Sequence, residues 1–437
     1  VIASLATLVF GIVILAIAGA SRHAPAIFAN VAIASVFFAG VLKSTMPLRY
    51  VLALALGYGI LAILRKNVGP EAVDIRFARV LGGYSLAATS LWIIGSPVAG
   101  IEPSEGDALF RYLVLLPVSA TLGYTLVRTG NGASLKRSYL FWSLTMGSFA
   151  MVEAALGEML LPRPDIARSL VRDGAQRAIL ASEHPLVLAA LLVAATPLAV
   201  TLIARPSLRV VAVVVLFGGI FATDSRGAVV VFIVSLALAL WSRRGERLSS
   251  GKAGALVSFP LVIISIAAVV AWAFSVAPSD TVLSSSDGTE ASSQYRVVLY
   301  QYLLLSLREM PLGWGLGGLP EHTYIVPSAF GIKDLALTVD SEPALLVFKW
   351  GWLGLAFFGA LLLWLAGRRR FLEPFGIASL SIVLSGVFLA LSSWTGLPVA
   401  LAMLLGATTA STSRDFDIRA IPARHSTKRV SIGARAK

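Results

Sequence analysis

The sequence predicts an all-α, polytopic membrane protein of 12 or 13 transmembrane helices, with one large extracytoplasmic loop that contains short helices. Three observations carry that reading: the composition, the spacing of the apolar runs, and the placement of the basic connections. Of 437 residues, 57% are apolar and 14% are charged, with a mean hydropathy of +0.83, whereas soluble domains carry roughly 25% charged residues. A water-soluble globule of this composition could not cover itself with polar surface. That excludes a soluble enzyme and a disordered chain, and the lack of cysteine excludes a disulfide-stapled secreted domain. The net charge of +13 would suggest nucleic acid as the partner of a soluble protein. Here the basic residues sit between apolar runs, so topology accounts for them and no nucleic-acid partner is expected.

Unpaired backbone groups cost several kcal/mol each in hydrocarbon, so a span needs about 20 apolar residues in a helix. Such runs fall at about 1–20, 25–42, 48–64, 79–99, 109–128, 138–160, 184–204, 208–223, 226–242, 254–276, 342–366, 372–393 and 395–411. The first run lacks a basic leading region, which favours a span over a cleaved leader.

Short basic connections stay in the cytoplasm. Arg205 and Arg209, then Arg243, Arg244, Arg247 and Lys252, then Arg368, Arg369 and Arg370 occupy alternate connections. Lys136, Arg137 and the tail from Arg414 fall on the same side, while Lys43 and Arg49 leave the first connections ambiguous. This divides the chain into N-terminal spans over 1–160 and a central region over 161–366 with extracytoplasmic segments at 161–183 and 277–341. C-terminal spans over 367–411 and a basic cytoplasmic tail over 412–437 follow. The long loop carries three basic and seven acidic residues, the bias of an outside segment. Its Ser-rich start leads into "QYRVVLYQYLLLSLREM", apolar at helical spacing, and "PLGWGLGG" ends it.

Charged residues at span ends are costly to desolvate, so each invites a functional and a simpler reading. The turn "FATDSRGAVVVF" leaves almost no room between two spans and puts Arg226 at the outer surface, where it either pairs with Asp224 as an anchor or serves a site. Arg296 opens the amphipathic helix of the long loop beside Tyr295 and Tyr300. It is either a snorkelling side chain or a bidentate grip on phosphate oxygens. Arg163, Arg168, Arg172 and Arg177 lie outside, against the usual bias, as lipid-headgroup contacts or as a surface for an anionic substrate. Asp340, just before "SEPALLVFKWGWLGL", is a helix N-cap or a base whose burial would raise its pKa. His322 in "GGLPEHTY" is the other candidate base.

Several tempting patterns fail. "GWGLGG" lacks the Lys-Ser/Thr of a phosphate-binding loop, "DFD" at 415–417 lies in the basic tail, and four scattered His with no Cys make no zinc pattern.

Four pieces in order resemble the O-antigen ligase and polysaccharide polymerase family of bacterial envelope proteins, over roughly half of the chain. "GAQRAILASEHPLVLA" looks like the family's Gly, His-Pro entry into a span, and "DSRGA" like its Ser-Arg-Gly helix start. "SSQYRVVLYQYLLLSLREMPLGWGLGG" looks like its Arg-bearing helix followed by Pro and spaced Gly, and "VDSEPALLVFKWGWLGL" like its closing loop and span. The resemblance implies a GT-C-like membrane glycosyltransferase in the bacterial cytoplasmic membrane, with its active site on the extracytoplasmic face and 161–366 as the catalytic region. It implies transfer of a glycan from an undecaprenyl-diphosphate carrier to a glycan or lipid-linked acceptor, with no cofactor and no metal, and a chain-length regulator as a candidate partner. Arg226 and Arg296 would then hold the diphosphate, Asp340 would take the acceptor proton, and Arg177, His184, His322 and Tyr295 would bind substrate. Two departures stand out. Asp340 and Ser341 occupy the place where ligases of the family carry a His followed by Asn or a similar residue, and Leu186 replaces a frequent polar residue. The first favours a polymerase, or a ligase with another acceptor; the second is a departure within the His-Pro motif.

Two other readings compete. A transporter or flippase of lipid-linked glycans would place ionisable residues within several spans, around broken helices; Glu153 and Lys349 are the main mid-span charges. A different polyprenyl-phosphate glycosyltransferase would use Glu102, Glu105 or Asp107 in "GIEPSEGDALF".

Overall fold

The computed structural model describes residues 21, 23–45, 48–67, 77–79, 81–86, 89, 109–161, 171–172, 175–245, 288–315, 318–328, 331–367 and 373–420. The apolar runs at 1–20 and 254–276, most of the run at 79–99, and Glu102, Glu105 and Asp107 lie outside the described residues, as does the end of the basic tail.

The described chain is helical apart from two small hairpins. Helices α1 (Ala24–Phe37), α2 (Ala39–Thr45) and α3 (Leu48–Asn67) lead to a π-turn at Arg111–Leu115 that continues as α4 (Leu116–Arg128) and then α5 (Gly132–Leu156). Strands β1 (Val171–Arg172) and β2 (Ala175–Gln176) pair antiparallel. Then come α6 (Pro185–Leu202), α7 (Pro206–Ala222), α8 (Arg226–Gly245) and α9 (Gly288–Glu309). The second hairpin, β3 (Ile325–Ser328) with β4 (Gly331–Asp334), precedes α10 (Leu335–Thr338), α11 (Glu342–Ala366), α12 (Pro374–Ser385) and α13 (Gly396–Ala420).

Among these, Gly132–Leu156, Pro185–Leu202, Arg226–Arg243 and Glu342–Ala366 are long and apolar enough to cross a membrane. Shorter apolar helices, Ala24–Phe37, Pro206–Ala222, Pro374–Phe388 and Gly396–Ser411, accompany them. Helix α6 is the axis. It is buried from Val187 to Val200 and packs against α5, α7, α8 and α12, as a helix apolar all round must. Outward faces of α7 and α8 leave Val210, Val214, Phe221 and Ile233 exposed, the arrangement that suits lipid rather than water. Helices α4 and α13 approach closely because each offers a glycine to the other: a Cβ on Gly123 would overlap the Met403 carbonyl, and one on Gly406 the Ala120 carbonyl.

Two apolar runs differ from the sequence expectation. The run at 372–393 is helical only to Ser385; 3-10 turns at Gly386–Phe388 and Leu391–Ser393 then form an irregular link to α13. Helix α11 breaks at Gly351, where φ is 56° and ψ is −133°, a conformation open to glycine.

The "PLGW" segment enters that break. Trp314 and Gly315 donate their backbone N–H groups to the carbonyls of Phe348 and Lys349 at 2.7 and 2.9 Å, and Trp352 donates to the Pro311 carbonyl at 3.0 Å. Groups freed by the break are thereby paired within the protein, which is the condition for irregular backbone at membrane depth. A satellite core of Leu299, Leu303, Leu307, Leu319, Tyr324, Leu335, Val347 and Phe348 fastens α9 and the second hairpin onto the first half of α11.

Candidate active site

Helices α6, α8, α11 and α13 all begin at one end of the bundle, and their first turns gather around the irregular link 386–395. Glu183, just before α6, accepts backbone N–H bonds from Thr395 (3.0 and 2.8 Å) and Gly396 (2.8 Å) at the start of α13. Glu342, in the first turn of α11, accepts from Ser392 N–H at 2.9 Å and from its hydroxyl at 3.2 Å. At the start of α8, Gly227 lies so close to Phe388 that an added Cβ would come within 2.6 Å of the ring. Carboxylates placed at helix N-termini meet the positive end of the helix dipole and its orphan N–H groups.

The strap from Arg177 to His184 ties this end to α5 and α7. Glu153, on the last turn of α5 and fully buried, accepts from Ile179 and Leu180 N–H at 2.9 and 3.2 Å. Arg177 Nε donates to the Thr223 carbonyl at 2.9 Å, and Ala178 N–H donates to the Ala222 carbonyl at 3.0 Å. Arg177 thus docks on the same turn that presents Arg226. In that turn Asp224 has a φ of 49°, a left-handed conformation that Asp tolerates, and Arg226 is exposed.

His184 caps α6. Its Nδ1 accepts Leu186 N–H at 3.2 Å, which leaves the ring proton on Nε2. The ring stacks on Trp394 of the link with centroids 5.1 Å apart. Burial, reinforced by Arg177, pushes its pKa down to about 4. His184 therefore stands as a neutral donor at ordinary pH.

Asp340 does not cap α11: the helix has Ser341 at the N-cap position without a side-chain cap bond. The carboxylate of Asp340 is half-buried, with Oδ1 sealed from solvent. Next to it Tyr300 on α9 shares a hydroxyl–hydroxyl bond of 3.3 Å with Ser341 and donates to the Val387 carbonyl at 3.5 Å. Arg296 lies one turn earlier on that helix; its side chain and that of Tyr295 lie outside the described residues. His322 sits apart from the link, on the hairpin side. Its side chain is 78% exposed, with Nδ1 3.5 Å from Asp334, and its N–H donates to Asp334 at 2.6 Å. That bond first, with the one from Ala336, holds the Asp334 carboxyl below its usual range.

Glu183, Glu342, Arg111 and Arg49 were not legible as parts of a site, yet they stand inside it. Arg111 is 9% exposed and interacts electrostatically with both Glu183 and Glu342. Arg49 Nε lies 3.3 Å from Thr395 Oγ1. The usable signal was a Ser-Glu pair one or two residues ahead of a Pro in the first helical turn, in "SEHP" and in "SEP". Among the described residues no three of His, Asp and Glu are placed to hold a metal ion.

Four described helices long and apolar enough to cross a membrane, with shorter apolar helices beside them, define a multi-pass membrane protein. Residues 211–359, from α7 through α11, match the family model described as O-antigen ligase. This bears out the resemblance over that stretch and supports glycan transfer of the ligase or polymerase type, with lipid-linked glycans as the substrate class. No curated protein matches the chain.

Proposed function

We propose that the protein transfers a glycan from an undecaprenyl-diphosphate carrier to an acceptor sugar hydroxyl. The reaction takes place on the extracytoplasmic face of a bacterial cytoplasmic membrane, within a bundle of 12 or 13 spans and without a metal. The observation that supports this reading is the convergence on the link 386–395: Arg177 and His184, the turn bearing Arg226, the Asp340–Ser341 step, and α9 through Tyr300 all meet there.

The acceptor oxygen attacks the anomeric carbon, the bond from that carbon to the phosphate oxygen breaks, and configuration inverts. The diphosphate leaves with its electron pair, stabilised by Arg226 and Arg296, whose fixed charge in a partly dry site is worth several kcal/mol. The acceptor proton passes to the Asp340 carboxylate. Arg177 and the neutral Nε2–H of His184 orient the carrier or its first sugar, while the exposed His322, with Tyr295, contacts the glycan. Segment 161–366 is the catalytic region in this reading, and a chain-length regulator would bind outside it.

Purified protein incubated with a defined lipid-linked oligosaccharide, with and without a separate acceptor, tests the proposal. A ladder of products identifies a polymerase, and a single shifted product a ligase. Arg226→Ala and Arg296→Ala should each reduce product by about a hundredfold or more; normal yield and product length in both variants reject the clamp.

One observation favours a second reading. The break in α11 at Gly351, beside buried Lys349, is the kind of interrupted helix that transporters use. Movement of intact lipid-linked glycan across reconstituted vesicles, with no covalent change, would select it.

A further inference from the structure

Below the link lies a set of buried charges that the transfer chemistry above does not use. Arg111 stands near the start of the helical run that becomes α4, and its Nε is enclosed without a hydrogen-bond partner among the described residues. Lys349, also 9% exposed, sits immediately before the α11 break, with Nζ 5.8 Å from the Tyr112 ring centroid; it and Arg111 both act on Glu342. Arg49 adds a third cation, acting on Arg111 and Glu183. Among the described residues this group holds three cations and two carboxylates, and both carboxylates accept backbone bonds: Glu183 from Thr395 and Gly396, Glu342 from Ser392. The starts of α6, α11 and α13, which lie beside Glu183 and Glu342, add partial positive charge.

An enclosed guanidinium nitrogen without an acceptor, in a group where cations outnumber acids, is costly in a low-dielectric setting unless an anion completes it. Convergent helix N-termini with an Arg fork suit phosphate oxygens above other anions.

We propose that Arg111, supported by Lys349 and Arg49, forms a phosphate-oxyanion subsite beneath the link. Its occupant is a phosphate group, borne by a polyprenyl lipid or free as an inorganic anion. The inference rests on the transfer reading only for the identity of that bearer; the anion site stands on the geometry alone.

The experiment measures binding of two sugar-free probes, polyprenyl monophosphate and inorganic diphosphate, to the full chain in nanodiscs at fixed ionic strength. The wild type, Arg111→Gln, Arg111→Lys and Lys349→Gln are compared. The wild type should bind at least one probe. Arg111→Gln should weaken that binding by about tenfold or more, the scale of a lost charge-assisted hydrogen bond, and Arg111→Lys should weaken it less. Binding of the lipid probe alone assigns the subsite to a carrier headgroup, and binding of diphosphate alone to a free inorganic anion. Wild-type affinity in Arg111→Gln, or no binding of either probe to the wild type, overturns the proposal. Should Arg111→Gln fail to fold, Lys349→Gln decides on the same criterion, with unchanged affinity counting against the subsite. Since neither probe carries a sugar, binding through Arg111 by a protein that transfers no glycan would overturn the transfer reading alone.

Discussion

Glu183 and Thr395 are 212 residues apart in the chain, yet both carboxylate oxygens of Glu183 accept the Thr395 backbone N–H, at 3.0 and 2.8 Å. One buried side chain thereby fixes the step before α6 to the start of α13 and holds the link between Phe388 and Trp394 in place. Trp394 in turn carries the His184 ring. Buried carboxylates that bind backbone N–H groups hold this end of the bundle together.

Glu183→Gln keeps one acceptor oxygen but removes the charge that matches the α13 N-terminus. The expected cost is about 1–3 kcal/mol, the range for a compromised buried hydrogen-bonding group. A lower midpoint of thermal unfolding in detergent, with reduced transfer at temperatures where the variant remains folded, would bear this out; an unchanged midpoint would show that the contact is dispensable.

The α11 break makes a sharper stability prediction. Gly351 has a φ of 56°, and a Cβ there would overlap the Pro311 carbonyl. Gly351→Ala should therefore cost at least about 1–3 kcal/mol from backbone strain alone and loosen the 311–315 segment from α11. Gly359→Ala, where nothing lies within 4 Å of an added Cβ, should be neutral or slightly stabilising. Similar unfolding midpoints for the two variants would contradict the account of the break.

Much of the bundle was legible because spans obey one rule: runs of apolar residues must be long enough to pair their own backbone across hydrocarbon. The runs at 48–64, 184–204 and 226–242 correspond to α3, α6 and α8 for this reason. The same rule misled at 372–393, because Gly386 to Ser393 is apolar enough to read as span while its backbone is paired by Glu342 and local turns. Of the site, the motifs around Arg177, His184, Arg226 and Asp340 could be marked as charged span ends, and the structure gathers them. Glu183 and Glu342 could not be. Their role is to bind N–H groups at 392, 395 and 396, and nothing local to either acid shows which distant backbone it will meet. Arg111 escaped for a related reason: as a single charge at the start of an apolar run it looks like a headgroup anchor until the fold encloses it.

Asp340 separates base chemistry from helix capping. Since Ser341 holds the N-cap position, Asp340→Asn should leave the unfolding midpoint close to that of the wild type while reducing the turnover number by about a hundredfold or more, the usual contribution of a positioned base. Donor binding should change little. A variant with wild-type turnover would remove Asp340 from the reaction and leave His322 as the next candidate.

His184 gives a pH dependence whose sign is fixed by its environment. Its folded pKa is near 4 against an ordinary value of 6.5, because burial and Arg177 both oppose protonation. Above about pH 6.5 the imidazole is neutral in both folded and unfolded chains and contributes no slope. Between about 6.5 and 4 the unfolded chain takes up a proton that the folded chain refuses, so stability falls as pH falls through that window. Asn can cap α6 in the same way, through its side-chain oxygen and Leu186 N–H, but has no proton to gain. His184→Asn should therefore unfold at a midpoint similar to the wild type at pH 7.5 and lose less stability on acidification to pH 5. Parallel pH profiles for the two proteins would show that the ring is protonated in the folded state, and with it the neutral-donor role of Nε2 would fail.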